Sequence, residues 1–138
     1  MRRLALLLAF AFATTSCTNE IDQSTRPENI IGTYTLVTYG GTLPATIPTD
    51  SAGTAQVVAG ELVVSSDRRW TQSYTISLTR NAGAQTFMTF AEGSWALIRE
   101  QGYMSFYDLT NKYQFTGTAA GGQITLLTTG GREVVFRR

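Results

Sequence analysis

Hydrophobic and polar positions alternate with a period of two along most of this chain. The clearest run is Arg69–Arg80, RWTQSYTISLTR. Trp70, Gln72, Tyr74, Ile76 and Leu78 share one parity; Thr71, Ser73, Thr75, Ser77 and Thr79 share the other. Successive side chains of a strand point to opposite faces, whereas a helix would scatter the same five residues around its circumference. The segment predicts a strand with a large, mostly apolar face in a core and a hydroxylic face in water, as antiparallel sheets allow.

The rhythm continues on both sides. Thr33–Tyr39, β-branched and aromatic, predicts the first strand. Gly40–Thr54 is a long connection in which Pro44 and Pro48 exclude a central strand. Ala55–Ser65 predicts a strand with Val58, Leu62 and Val64 prominent, and Ser66-Asp67-Arg68 turns it into Arg69–Arg80. Arg80–Ala84 is a turn in which Gly83 supplies a positive φ. Gln85–Arg99 alternates but changes phase near Glu92-Gly93-Ser94, which predicts a bulge that keeps Trp95 and Leu97 inside. Tyr103–Leu109, Lys112–Ala119, Gln123–Thr128 and Arg132–Arg138 follow, separated by turn signals. Short strands joined by tight turns predict an all-β fold, an antiparallel up-and-down barrel of about eight strands.

The N-terminus breaks this pattern. Met1–Cys17, MRRLALLLAFAFATTSC, runs from two arginines through an apolar stretch to small residues, the order of a secretory signal. Thr14-Thr15-Ser16-Cys17 resembles a bacterial lipobox, whose cysteine becomes a lipidated N-terminus; Ala11-Phe12-Ala13 offers an ordinary cleavage site instead. The division expected is a signal peptide over 1–16, a lipid-anchored tether over 17–29 with Cys17 as the anchor, and a barrel over 30–138. With Thr18 after the cysteine, the resemblance implies a cell-envelope lipoprotein of the outer membrane. Cleavage after Ala13 would give a secreted or periplasmic protein.

Composition narrows the chemistry. The 138 residues include no histidine and one cysteine, with 15% charged residues and a formal net charge of +1. One cysteine forms no intrachain disulfide, and without His or further Cys the zinc, copper and Ser-His-Asp arrangements cannot be built. No metal, cofactor or catalytic residue is expected, and no basic field attracts nucleic acid. Asp108 and Asn111 fit a solvated turn better than a calcium loop. Glu61, Glu92, Glu100 and Glu133 fall at strand ends or on the exposed parity.

At Gly32-Thr33-Tyr34 the chain resembles the Gly-x-Trp first strand of lipocalins, with Tyr for Trp. Arg137 and Arg138 stand where that family carries an arginine that packs on the Trp. The resemblance implies barrel closure through Gly32, Tyr34 and one of the two arginines, with register deciding which. It implies the lipocalin-like fold and not a ligand; a monomeric barrel that takes a small apolar ligand and meets the membrane through its lipid only is a separate functional expectation. The inward aromatic residues fit either that reading or a solid barrel acting as a structural or inhibitor-type interaction module. If a ligand binds, the expected site is the barrel end under Gly40–Thr54. Leu43 and Ile47 would form its lid, Gln72, Tyr74, Ile76, Leu78 and Phe87 its wall, and Trp70 and Trp95 its floor.

The expected anchor gives a first test. Cys17→Ala should move the protein from the membrane fraction to the soluble envelope fraction. Equal fractionation of both forms, with Thr14 as the mature N-terminus, would contradict the lipid.

Overall fold

The computed structural model describes residues 26–49, 53–99 and 102–138. The expected signal over 1–16, the Cys17 anchor and the tether as far as residue 25 lie outside the described residues. A one-turn helix, α1 (Pro27–Ile30), leads into nine strands: β1 (Gly32–Tyr39), β2 (Ala45–Ile47), β3 (Thr54–Val64), β4 (Arg69–Arg80), β5 (Gly83–Arg99), β6 (Tyr103–Asp108), β7 (Tyr113–Ala120), β8 (Gln123–Leu127) and β9 (Glu133–Arg137). Consecutive strands pair from β2 to β9, and β1 pairs with both β9 and β3. Eight strands thereby close into the antiparallel barrel that the alternation predicts, with β2 as an extra strand.

Strand β1 changes partner part-way. Gly32–Thr35 pairs with β3, and from Thr35 to Tyr39 the partner is β9. Where β1 leaves β3, β2 takes its place, Ala45 opposite Val57 and Ile47 opposite Ala55. Pro44 and Pro48 flank this three-residue edge strand, a position that needs few ladder donors.

Register shifts decide which side chains face inward. One between Leu36 and Thr38 moves the inward parity from Tyr34 and Leu36 to Tyr39. Another between Val57 and Ala59 moves it from Ala55 and Val57 to Leu62 and Val64. Val57, 1% exposed, is therefore the core residue that the pattern assigned to Val58. The bulge expected at Glu92-Gly93-Ser94 is absent: β4 and β5 pair without interruption from Arg69 opposite Ser94 to Arg80 opposite Gly83, and the shift comes between Leu97 and Arg99. Gly93 has another cause. A Cβ there would lie 1.8 Å from the Tyr107 carbonyl oxygen and 2.9 Å from Trp70 Nε1, so the contact admits no side chain.

One half of the barrel is solid. Trp70 meets Phe106 and Phe115 edge-on, with centroids 6.0 and 5.6 Å apart, and those two rings stack at 5.2 Å. Trp70 Nε1 donates to the Ser94 carbonyl at 3.1 Å and Trp95 Nε1 to that of Ser65 at 3.0 Å, so each indole keeps a hydrogen bond inside the fold. Below them Tyr34 donates its hydroxyl to the Ile30 carbonyl, and the Arg138 guanidinium lies 5.5 Å over the Tyr34 ring. Arg138 also donates to the carbonyls of Ile31 (3.1 Å) and Asn29 (2.5 Å). Arg137 is exposed and donates to Gln123, so Arg138 is the arginine against the first strand. Asn29, the last residue of the expected tether, is held at this end by that bond from Arg138.

The β6–β7 turn differs from the solvated turn expected there. Asp108 is 1% exposed, and its carboxylate accepts from the backbone N–H groups of Thr110 (2.7 Å) and Asn111 (2.9 Å) and from Asn111 Nδ2 (2.9 Å). Asp108→Ala should lower stability by about 1–3 kcal/mol, because several donors lose their acceptor. A lower urea midpoint, with a smaller drop for Asp108→Asn, is the expected result.

Candidate functional site

Beyond the ring stack the barrel is hollow. A cavity of about 410 Å³ lies at the end where β1 finishes and the β8–β9 turn begins. Phe115, Leu126 and Val134 form its inner surface, and the upper face of the stack is its floor. Gln72 and Tyr74 of β4 and Tyr113 of β7 form the wall, with Tyr39 from the end of β1. Ile47, Pro48, Thr128, Thr129, Gly130 and Arg132 make the rim.

Local sequence explains several of these positions. The bulge in β1 turns Tyr39 inward, where its ring meets Tyr74 edge-on at 5.3 Å. Gly60 pairs with Tyr74, and a Cβ on Gly60 would come within 2.8 Å of the Tyr74 ring, so the missing side chain makes room for the phenol. At the rim, the Arg132 guanidinium lies 5.2 Å over the Tyr39 ring. Gly40 has φ +66°, donates its N–H to the Glu133 carbonyl and leaves space for the Arg132 stem, which a Cβ would meet at 2.5 Å.

The cavity is polar at specific points. Among the described residues Arg132 is the one charged side chain that lines it, and no carboxylate does. Burial pushes the Tyr74 hydroxyl far above the ordinary phenol value, with neighbouring Tyr39 and Tyr113 adding to the shift. Tyr113 is also raised, by burial first and then by Asp108 and Tyr39. Both hydroxyls therefore stay protonated through neutral and mildly alkaline pH and can donate hydrogen bonds.

The chain matches no protein-family model, no curated protein and no solved structure. The site is read from its own geometry.

Of the nine ligand residues expected from the sequence, Ile47, Gln72 and Tyr74 line the cavity. Leu43 packs on the core instead, and Trp70 lies under the floor against Phe115. Trp95 sits at the opposite end with Ile31 and Leu97, because the lower half of the barrel is filled. Ile76, Leu78 and Phe87 are on the expected face but too far along their strands. The β6 ladder on β5 stops at Gly93, and these residues lie in the part of the β4–β5 hairpin beyond it. Tyr39, Tyr113 and Arg132 were not assigned to the site. Tyr113 carried a signal, since it shares the inward parity with Phe115; Tyr39 was hidden by the bulge and Arg132 by its place in a turn.

Among the described residues no group of three His, Cys, Asp or Glu side chains gathers to hold a metal. Glu61 and Glu133 are exposed, and Glu92 lies 3.6 Å from Arg69 in an exposed ion pair.

The phenols give the site a pH signature. In the unfolded chain they ionise near pH 10, while native Tyr74 holds its proton higher, so the unfolded state binds fewer protons above that point. Stability should be level below about pH 9 and fall as pH rises through 10. Tyr74→Phe should flatten the fall in urea midpoints measured across that range. An unchanged slope would contradict burial of this hydroxyl.

Proposed function

We propose that the protein is a lipid-anchored envelope barrel that binds a small amphipathic acid in its mouth. The observation that carries this reading is a cavity walled by phenol and phenyl rings with, among the described residues, a single cation at its rim and no carboxylate in its lining. An apolar or aromatic body would lie over Phe115, Leu126 and Val134. Its acid group would meet Arg132, with the Tyr74 and Tyr113 hydroxyls and the Gln72 amide as further partners. The volume of about 410 Å³ falls toward the low end of the ~300–1,000 Å³ typical of small-molecule pockets, which favours compact ligands. The closed eight-stranded barrel is consistent with a lipocalin-like fold, whose members the first strand resembles. Envelope location rests on the signal-like N-terminus and Cys17 alone.

A solid interaction module is the second reading. It draws support from the filled lower half of the barrel and from large apolar side chains exposed on the β4–β5 hairpin.

Tryptophan fluorescence tests the first reading, because Trp70 lies directly under Phe115 of the cavity. Fatty acids of graded length and paired retinoid acids and alcohols serve as probes. Acids should bind, and Arg132→Gln should weaken them by ~10–100-fold while leaving the alcohols unchanged, since a hydrogen bond to a charged group contributes ~1.5–3 kcal/mol. No response to any probe, with Tyr74→Ala equally silent, would leave the interaction module as the better account.

A further inference from the structure

Strand β5 is far longer than its neighbour on one side. It has 17 residues, and β6 covers it only from Gly93 to Arg99. The last bond on that edge runs from the Leu109 N–H to the Glu92 carbonyl at 2.9 Å. From there to the hairpin turn, among the described residues, no strand pairs with the second edge of β5.

The phase of the ladder shows which groups this edge presents. Arg80 opposite Gly83 closes the two-residue turn Asn81-Ala82, and Trp95 N–H donates toward the β4 side, to the Arg68 carbonyl. Odd-numbered residues of β5 therefore bond to β4. Even-numbered ones point both backbone groups outward, as Glu92 does toward Leu109. Among the described residues, Ala84, Thr86, Met88 and Phe90 are thus left without a ladder partner for their outward N–H and C=O groups. Natural edge strands are usually protected by charge, proline or a bulge. Here residues 81–91 contain no charge and no proline, and the β4–β5 register has no bulge. The edge is also flanked by Phe87, Met88 and Phe90, which are 44, 54 and 71% exposed.

We propose that this edge is a dimer interface, in which β5 of one copy pairs antiparallel with β5 of a second copy around a two-fold axis at Phe87. The inference is independent of the ligand reading and departs from the monomer expected from the sequence. Three observations select a second copy as the occupant. First, with Phe87 on the axis, Ala84 pairs with Phe90 of the other copy and Thr86 with Met88, so the four outward-facing residues satisfy one another completely. Those pairs make eight backbone hydrogen bonds, within the range of about 10 ± 5 found in stable interfaces. Second, the lengths match. Opposite Ala91 lies Gly83 of the other copy, whose chain then turns away at Asn81-Ala82, at the level where Leu109 takes over the ladder. Third, the facing segments are uncharged, so the two-fold axis brings no like charges together. One strand edge covers less than the ~800 Å² per partner of a standard interface, so the dimer should dissociate on dilution.

The full chain carrying Cys17→Ser, which leaves no other thiol, tests this by sedimentation and by cross-linking. The wild-type edge should give a concentration-dependent dimer in the tens-of-micromolar range. Phe87→Cys should form an intermolecular disulfide under mild oxidation, because residues on the axis face each other closely in a non-hydrogen-bonded pair. Phe87→Lys should abolish the dimer by placing two cations opposite each other, with an unchanged far-ultraviolet spectrum showing that the barrel still folds. Met88→Pro, which removes only an outward N–H, should do the same. A chain that stays monomeric at high concentration overturns the dimer. Cross-linking through Met88→Cys or Thr89→Cys in place of Phe87→Cys overturns the register, and growth beyond a dimer overturns the two-fold closure.

Discussion

The contact among Trp70, Phe106 and Phe115 decides where this barrel is solid and where it is hollow. Trp70 comes from β4, the other two rings from β6 and β7, so the cluster spans the interior from one wall to the opposite one. Its indole is fixed by a hydrogen bond to the Ser94 carbonyl and passes close to Gly93, where no side chain could fit. With the middle of the barrel blocked, Tyr34, Met104, Ile124 and Phe136 can pack below as an ordinary core. The space above is left to smaller or tilted side chains, and it is there that the phenols of Tyr39, Tyr74 and Tyr113 meet. Truncating Trp70 would therefore do more than remove about 3–5 kcal/mol of packing. It would join the cavity to the core.

The two ends use a similar contact for different purposes. Arg138 covers Tyr34 at the closed end and also holds two carbonyls of the N-terminal turn, so its charge is fully engaged in structure. Arg132 covers Tyr39 at the mouth, where the rest of the lining among the described residues is neutral. Both tyrosines belong to β1 and both arginines flank β9. The arginine at the closed end is part of a seal, and the one at the mouth faces a space it can share.

Parity along single strands was enough to read most of the architecture. The alternation in Arg69–Arg80 placed Trp70, Tyr74 and Ile76 on one face, and the turn signals gave the strand order of a meander. What parity could not supply was depth. Whether Ile76 or Phe87 lines the mouth depends on how far β6 reaches along β5, which is a property of a different stretch of sequence. Bulges were the second obstacle. Single-residue shifts in β1 and β3 reversed the inward parity within a strand, hiding Tyr39 and exchanging Val58 for Val57. Arg132 lay in a turn, where no period exists to place a side chain.

The double pairing of β1 also bears on how the fold is reached. Every ladder from β3 to β9 joins strands adjacent in sequence, and such local contacts can form hairpin by hairpin at low entropic cost. Strand β1 is the exception, for Thr35 pairs with Arg137 near the opposite terminus. The seam between β1 and β9 therefore joins residues about a hundred positions apart, a far longer loop than any hairpin of the meander closes. Until it closes, the apolar interior is open along one seam, so the pairing that completes the ladder also completes the core.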